Sequence, residues 1–266
     1  MLNIFLPSVI LVFLFFTSFF IIAQIIKNNS IVDIGWGIGF ILITLYTFFF
    51  SEMITAKSIL VTSLVLIWGI RLSYHILKRN WGKPEDFRYA KWRKEWGKWL
   101  FIRSFFQIFM LQGLLMLIIA SPIIFINHSH QTGLQLLDYL GALIWIIGFL
   151  FESIGDYQLA QFIQKPENKG KIMKYGLWRY TRHPNYFGEA TMWWGIYIIA
   201  LSLPNGFWFI ISPLTITILL LYVSGVPMLE KKFADNQKFQ EYARETPKFF
   251  PWFPKKSTKK SNTNNG

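Results

Sequence analysis

Seven long apolar runs constrain this chain more than any other feature. They cover Ile4–Ile26, Ile31–Phe50, Ser58–Leu77, Phe101–Ile126, Leu134–Phe151, Phe187–Leu203 and Phe207–Met228. A helix rises 1.5 Å per residue, so about 20 residues cross roughly 30 Å of hydrocarbon. Each run is near that length. In lipid a backbone must satisfy its own hydrogen bonds, which leaves helices for runs of this kind. Charged residues make up 15% of the chain, against about 25% in soluble domains. The reading is an all-α, polytopic integral membrane helical bundle of about seven transmembrane helices. The bundle is expected to form a single transmembrane domain over 1–254, with a disordered basic tail at 255–266. The first run is expected to be a span rather than a signal peptide, since it shows no basic leader and no small-residue cleavage site.

The charges give an orientation. The net charge is +13, and its position matters more than its size. Lys83, Arg88, Lys91, Arg93, Lys94 and Lys98 fill Asn80–Leu100. Gln164–His183 is equally basic, as is the chain after Met228. Asn127–Gly133 and Pro204–Gly206 carry no Lys or Arg, and Ser51–Lys57 carries one. Basic loops stay cytoplasmic, so the N-terminus is expected outside and the C-terminus in the cytoplasm. Orientation accounts for the charge without nucleic acid. The absence of cysteine excludes a thiolate metal site and a cysteine nucleophile.

Several polar groups stand among or beside the apolar runs. Trp92, Trp96 and Trp99 have helical spacing among basic residues, which predicts an amphipathic helix in the interface. Asp33 and Arg71 lie within spans, in the same leaflet. Intramembrane charges pair or serve a site, so an Asp33–Arg71 ion pair is expected. Gly35 and Gly39 make a small-xxx-small pattern suited to helix packing. Glu152 and Asp156 lie one helical turn apart. With no His at ligand spacing and basic surroundings, they fit hydrogen bonding to a polar group, or to Arg179 and Arg182, better than a metal.

The most concentrated chemistry is "GLWRYTRHPNYFGE". Pro184 suits the first turn of a helix, so a helix is expected to start there with its N-terminus toward the cytoplasm. Such an end favours anions. Arg179, Arg182, His183 and Asn185 crowd it, and Trp178, Tyr180 and Tyr186 offer flat faces. A nucleotide or phosphate site is one reading, and basic flanking with an aromatic belt is the other. No GxGxxG or Walker motif accompanies it.

The same stretch resembles the steroid 5α-reductase C-terminal family, and most of all its bacterial members. Sterol C14/C7 reductases and isoprenylcysteine carboxyl methyltransferases are more distant relatives. The resemblance runs from "GDYQLAQFIQKPENKGKIMKYGLWRYTRHPNYFGE" to the closing "EKKFADNQKFQEYARETPKFFPWFP", with "WGIRLS" and "EDFRY" upstream. It implies a reductase in the bacterial cytoplasmic membrane that takes hydride from NADPH to an activated C=C bond of a lipophilic substrate. Its cofactor-binding half is expected at about 134–254. By motif position, the resemblance assigns cofactor binding to Asp156, Tyr157, Trp178, Arg179, Arg182, His183, Asn185, Tyr186, Glu189, Tyr242 and Arg244. Glu152 stands where the steroid enzymes have Asn, and "QLAQFIQK" thins an Arg-rich stretch, which leaves NADPH against NADH open. The resemblance also implies an acid–tyrosine pair on early spans, for which Asp33, Tyr74 and Tyr89 are the candidates. The methyltransferase relatives imply an alternative, S-adenosylmethionine as cofactor with Glu230 serving it.

Overall fold

The computed structural model describes residues 2–255, and their side chains from Phe5 onward. The tail expected to be disordered lies outside the described residues from 256 on. Among the described residues every regular element is a helix. In order these are α1 (Leu2–Ile25), α2 (Ile31–Phe49), α3 (Ala56–Asn80), α4 (Phe87–Trp96), α5 (Leu100–Arg103), a π-helical stretch (Ser104–Met110) and α6 (Leu111–Asn127). Then come α7 (Leu136–Gln164), α8 (Pro184–Leu201), α9 (Ile211–Ile218), a second π-helical stretch (Leu219–Val223), α10 (Val226–Lys232) and α11 (Gln237–Glu245).

Among the described residues, six helical stretches are long and apolar enough to cross a membrane: Phe5–Ile25, Ile31–Phe49, Ala56–Asn80, Phe87–Asn127, Leu136–Gln164 and Gly206–Lys232. The chain is a multi-pass integral membrane protein built as a helical bundle. The run expected at Phe187–Leu203 is the exception among the seven. It forms α8, but its opening turns carry Asn185, Tyr186 and Glu189, which dilute its apolar character. The expected interfacial helix also differs. Trp92 and Trp96 stack with centroids 5.5 Å apart and planes at 5°. Gly97, at φ 46°, then ends α4, and Trp99 falls in the following 3-10 turn. The three indoles therefore do not form one continuous helical face.

The chain divides into two compact units, and α7 and α8 pass from one into the other. The first comprises Met1–Ala142 and Gly195–Thr215. Here α2 packs on α1, α3 and α6. Gly37 and Gly69 let α2 and α3 approach closely: a Cβ on Gly37 would lie 2.4 Å from the Gly69 carbonyl oxygen. Gly35 and Gly39, the expected packing pair, instead receive side chains, Phe19 at 3.1 Å and Met116 at 2.6 Å from where a Cβ would sit. Phe16, Phe40, Trp68, Phe109 and Met116 fill the core. Leu6, Ile10, Phe13 and Leu14 of α1 are exposed, an apolar face suited to lipid.

An ion pair missed in the sequence locks the loop end of this unit. Lys57 and Asp138 are both fully buried, with Nζ and Oδ2 2.9 Å apart. Ser202 donates to Asp138 Oδ1 at 2.8 Å, and Lys57 donates to Ser202. The Gln135 N–H adds a bond to Asp138 Oδ2 at 2.7 Å. Thr55 and Ser58 cap α3 reciprocally beside Lys57. Three helix ends meet here, the starts of α3 and α7 and the end of α8. Breaking a buried pair on one side costs about 3–5 kcal/mol, whereas replacing both partners with apolar groups costs far less. Lys57→Met and Asp138→Leu are each expected to lower the unfolding midpoint in mixed detergent strongly. The double variant is expected to recover much of the loss.

Candidate functional site

The second unit, Leu143–Trp194 with Ile216–Gly266, holds most of the residues singled out for cofactor binding. α7 and α8 pack tightly within it, because Gly148 and Gly188 remove side chains at the contact: a Cβ on Gly188 would lie 2.4 Å from the Glu152 nitrogen. Further along α7, Gly155 leaves room for Pro184 and the Asn185 nitrogen, where a Cβ would meet them at 3.1 and 3.2 Å. The start of α8 is thereby set against α7.

The turn before α8 is fixed by local chemistry. Gly176 adopts φ 59°, a conformation natural to glycine. Gln158 on α7 accepts from the Leu177 N–H at 3.0 Å. Buried Trp178 donates its indole N–H to the Gly155 carbonyl at 3.0 Å. Tyr242 on α11 donates its hydroxyl to the Trp178 carbonyl, and burial pushes that phenol above its ordinary range.

The closing segment then straps over the turn. Arg182 N–H donates to the Pro247 carbonyl at 2.9 Å, Thr181 Oγ1 to Phe249 at 2.7 Å, and Trp252 N–H to Tyr180 at 2.9 Å. Arg182 completes the clasp. Its Nε donates to Glu230 at 2.8 Å, and its Nη1 donates to the carbonyls of Ala243 at 2.7 Å and Thr246 at 3.0 Å. Buried His183 reaches the same Glu230 oxygen through Nε2 at 3.1 Å. Burial lowers the His183 pKa, against the pull of Glu230, and favours the neutral ring. That ring stacks on Tyr186, with centroids 5.7 Å apart. Asn185, in the first turn of α8, donates Nδ2 to Asp156 Oδ1 at 3.0 Å.

These contacts sort the eleven residues. Asp156, His183, Asn185 and Tyr186 gather at the mouth of α8, and Glu189 follows one turn along, half-buried. Trp178, Arg182 and Tyr242 have structural bonds that build the strap. Arg179, Arg244 and Tyr157 are exposed. Thr246 donates to the Arg179 carbonyl at 3.5 Å, which brings the end of α11, with Arg244, to the turn carrying Arg179. The expected tether from Glu152 or Asp156 to Arg182 is not made, because Glu230 and two carbonyls take that guanidinium. Glu230 was read only as a methyltransferase residue. Its place in the clasp had no local signal, since 47 positions separate it from His183.

A second constellation lies in the first unit. Asp33, in the first turn of α2, was expected to pair with Arg71. Instead it accepts from Arg88 Nη2 at 2.9 Å and from the Tyr89 hydroxyl at 2.7 Å. The loop geometry explains the choice. Asp86 caps α4 through the Arg88 N–H at 3.0 Å and holds Arg88 Nε at 2.8 Å, while its own N–H donates to Ser30 beside α2. Glu85 binds Arg93 at 2.8 Å and the Asn29 N–H at 2.7 Å. Burial pushes the Asp86 carboxyl up, and the Arg88 hydrogen bonds outweigh it and hold the group below its usual range. The start of α4 is thus sewn to the start of α2, and "EDFRY" supplies the thread. Of the three acid–tyrosine candidates, Asp33 and Tyr89 are brought together. Tyr74 is not: its ring is 63% exposed, with Lys78 6.0 Å from its centre.

Among the described residues no cluster of three or more His, Cys, Asp or Glu side chains could hold a metal ion. Comparison with known proteins follows the same stretch of chain. The family model described as "Protein of unknown function (DUF1295)" matches residues 19–246. The chain belongs to the DUF1295 family. An uncharacterized protein of Schizosaccharomyces pombe, C594.04c, is 24% identical over 198 residues. The match covers 65% of this chain and 57% of that protein. No solved structure matches. The family match spans both the Asp33–Tyr89 pair and the mouth of α8.

Groups that share a hydrogen bond couple energetically by about 0.5–3 kcal/mol. A double-mutant cycle on Asp33→Asn and Arg88→Met, read by detergent unfolding, is expected to show coupling in that range. The same cycle on Asp33 and Arg71 is expected to be additive within about 0.5 kcal/mol.

Proposed function

We propose that this DUF1295 protein is a membrane-embedded reductase that uses NADPH to reduce an activated C=C bond of a lipophilic substrate. The observation that carries the reading is the mouth of α8, which combines a helix N-terminus with buried polar atoms that lack protein partners. His183 Nδ1 and Asn185 Oδ1 are such atoms. Native structures rarely leave buried polar atoms unpaired without a ligand, water or functional reason. The exposed guanidinium groups of Arg179 and Arg244 suit phosphates, which arginine grips in bidentate fashion. Tyr157 and Tyr180 offer exposed aromatic faces nearby in the same unit. The residues therefore fit a dinucleotide better than they fit a metal.

When bound, the cofactor supplies the hydride. The chain's own part is to bind, orient and exclude water. Arg179 and Arg244 hold the phosphates, and Asp156 orients Asn185. A reduction that adds hydride to one carbon needs a proton at the other. The ultimate source of that proton is solvent. Entry of the cofactor from the cytoplasm follows from the basic loops. In the methyl-transfer reading Glu230 serves S-adenosylmethionine, but here its carboxylate is engaged by Arg182 and His183.

A ligand that binds only the folded state stabilises it by about 2.7 kcal/mol at 100 times its Kd. Detergent-purified protein is expected to melt several degrees higher with NADPH, and Asn185→Ala is expected to lose that shift while remaining folded. Stabilisation by S-adenosylmethionine alone would replace this reading with methyl transfer.

A further inference from the structure

The mouth of α8 looks, by charge count, like a place for phosphate. Its hydrogen-bonding state says otherwise. Arg182 is bound to Glu230 through Nε and to two carbonyls through Nη1. The protons on His183 and Asn185 can be assigned from their partners. Glu230 is a carboxylate that already accepts from Arg182, so His183 Nε2 must be the donor in its 3.1 Å contact. The remaining nitrogen, Nδ1, is then a bare lone pair on a neutral ring. The His183 side chain is only 5% exposed, and Nδ1 has no partner. Burial favours this neutral form. In the same way, Asp156 accepts from Asn185 Nδ2, which fixes the amide orientation and leaves Oδ1 as an unpartnered acceptor.

Both buried atoms without a protein partner are therefore acceptors, and both neighbouring acids, Glu230 and Asp156, are acceptors too. A phosphate dianion offers only lone pairs and would meet them lone pair to lone pair. A group that brings hydrogens would complete them.

Resting on the dinucleotide reading above, we infer that the His183–Asn185 mouth binds a hydrogen-bond-donating part of the cofactor. The donor is a ribose hydroxyl or the carboxamide –NH2. The phosphates lie instead with exposed Arg179 and Arg244. His183 is thus an acceptor for the ligand rather than an anion-binding imidazolium, and the Arg182–Glu230 pair serves to hold its tautomer.

The test uses the full-length protein in detergent with NADP+ as the probe. The chain has four histidines, so the ring nitrogens can be followed in 15N-histidine-labelled protein and assigned by replacing His75, His128 and His130 in turn. The expected spectrum shows His183 neutral with the proton on Nε2, and its Nδ1 signal moves upfield when NADP+ saturates the site. By calorimetry, His183→Phe is expected to weaken NADP+ about tenfold, the loss of roughly one hydrogen bond. His183→Gln, which keeps an acceptor, is expected to recover part of it. The 3-acetylpyridine analogue of NADP+ replaces the amide –NH2 by methyl. Weaker binding of the analogue to wild type but not to His183→Phe identifies the amide as the donor, and equal weakening by His183→Phe for both ligands identifies a hydroxyl. A protonated Nδ1, or an Nδ1 signal that saturating NADP+ leaves unmoved, would overturn the inference while leaving the cofactor reading intact. Failure of NADP+ to bind wild type at all would overturn both.

Discussion

A charge within a bilayer-spanning bundle is expensive unless it is paired, and this constraint organises the chain. Lys57 and Asp138 tie three helix ends together in the first unit. Asp33, Arg88 and Asp86 sew the start of α4 to the start of α2. Arg182 and Glu230 close the strap in the second unit. In each case the ion pair also engages neutral groups: Ser202 in the first, Tyr89 in the second and His183 in the third. The pairs thereby set the position and proton of an uncharged side chain, which is the kind of control that a reactive or binding group requires.

The strap in the second unit shows how much structure one helix mouth can need. A proline start, a glycine-lined contact with α7 and a 3-10 turn present the first turn of α8. The closing segment then adds backbone bonds at Thr181 and Arg182 and a guanidinium that reaches two further carbonyls. Residues gathered by their positive charge divide into one that builds the strap and others that stay exposed. Arg182 is the first kind, Arg179 and Arg244 the second.

Much of this was legible in sequence, for physical reasons that also explain the rest. The long apolar runs read as helices because lipid permits little else, and Pro184 marked the start of α8 because its φ and missing N–H suit that position. What depends on three-dimensional partner choice was not legible. Arg71 was the expected partner of Asp33, and only the turn capped by Asp86 puts Arg88 there instead. Gly37 and Gly69 face one another across α2 and α3, which neither helix reveals alone, so Gly35 and Gly39 drew attention instead. The indole series broke at Gly97, whose positive φ is invisible to helical periodicity. Glu230 joins Arg182 and His183 across a long stretch of chain, beyond the reach of any local pattern.

The central claim is hydride transfer to a lipid, and it can be tested without knowing the lipid. Membranes containing the protein would be incubated with NADPH deuterated at the transferring position and with a total lipid extract, and the lipids read by mass spectrometry. The account predicts a lipophilic species that gains one deuterium and one solvent hydrogen, and that disappears in Asn185→Ala. No deuterium in any lipid, together with methyl label arriving from S-adenosylmethionine, would contradict it.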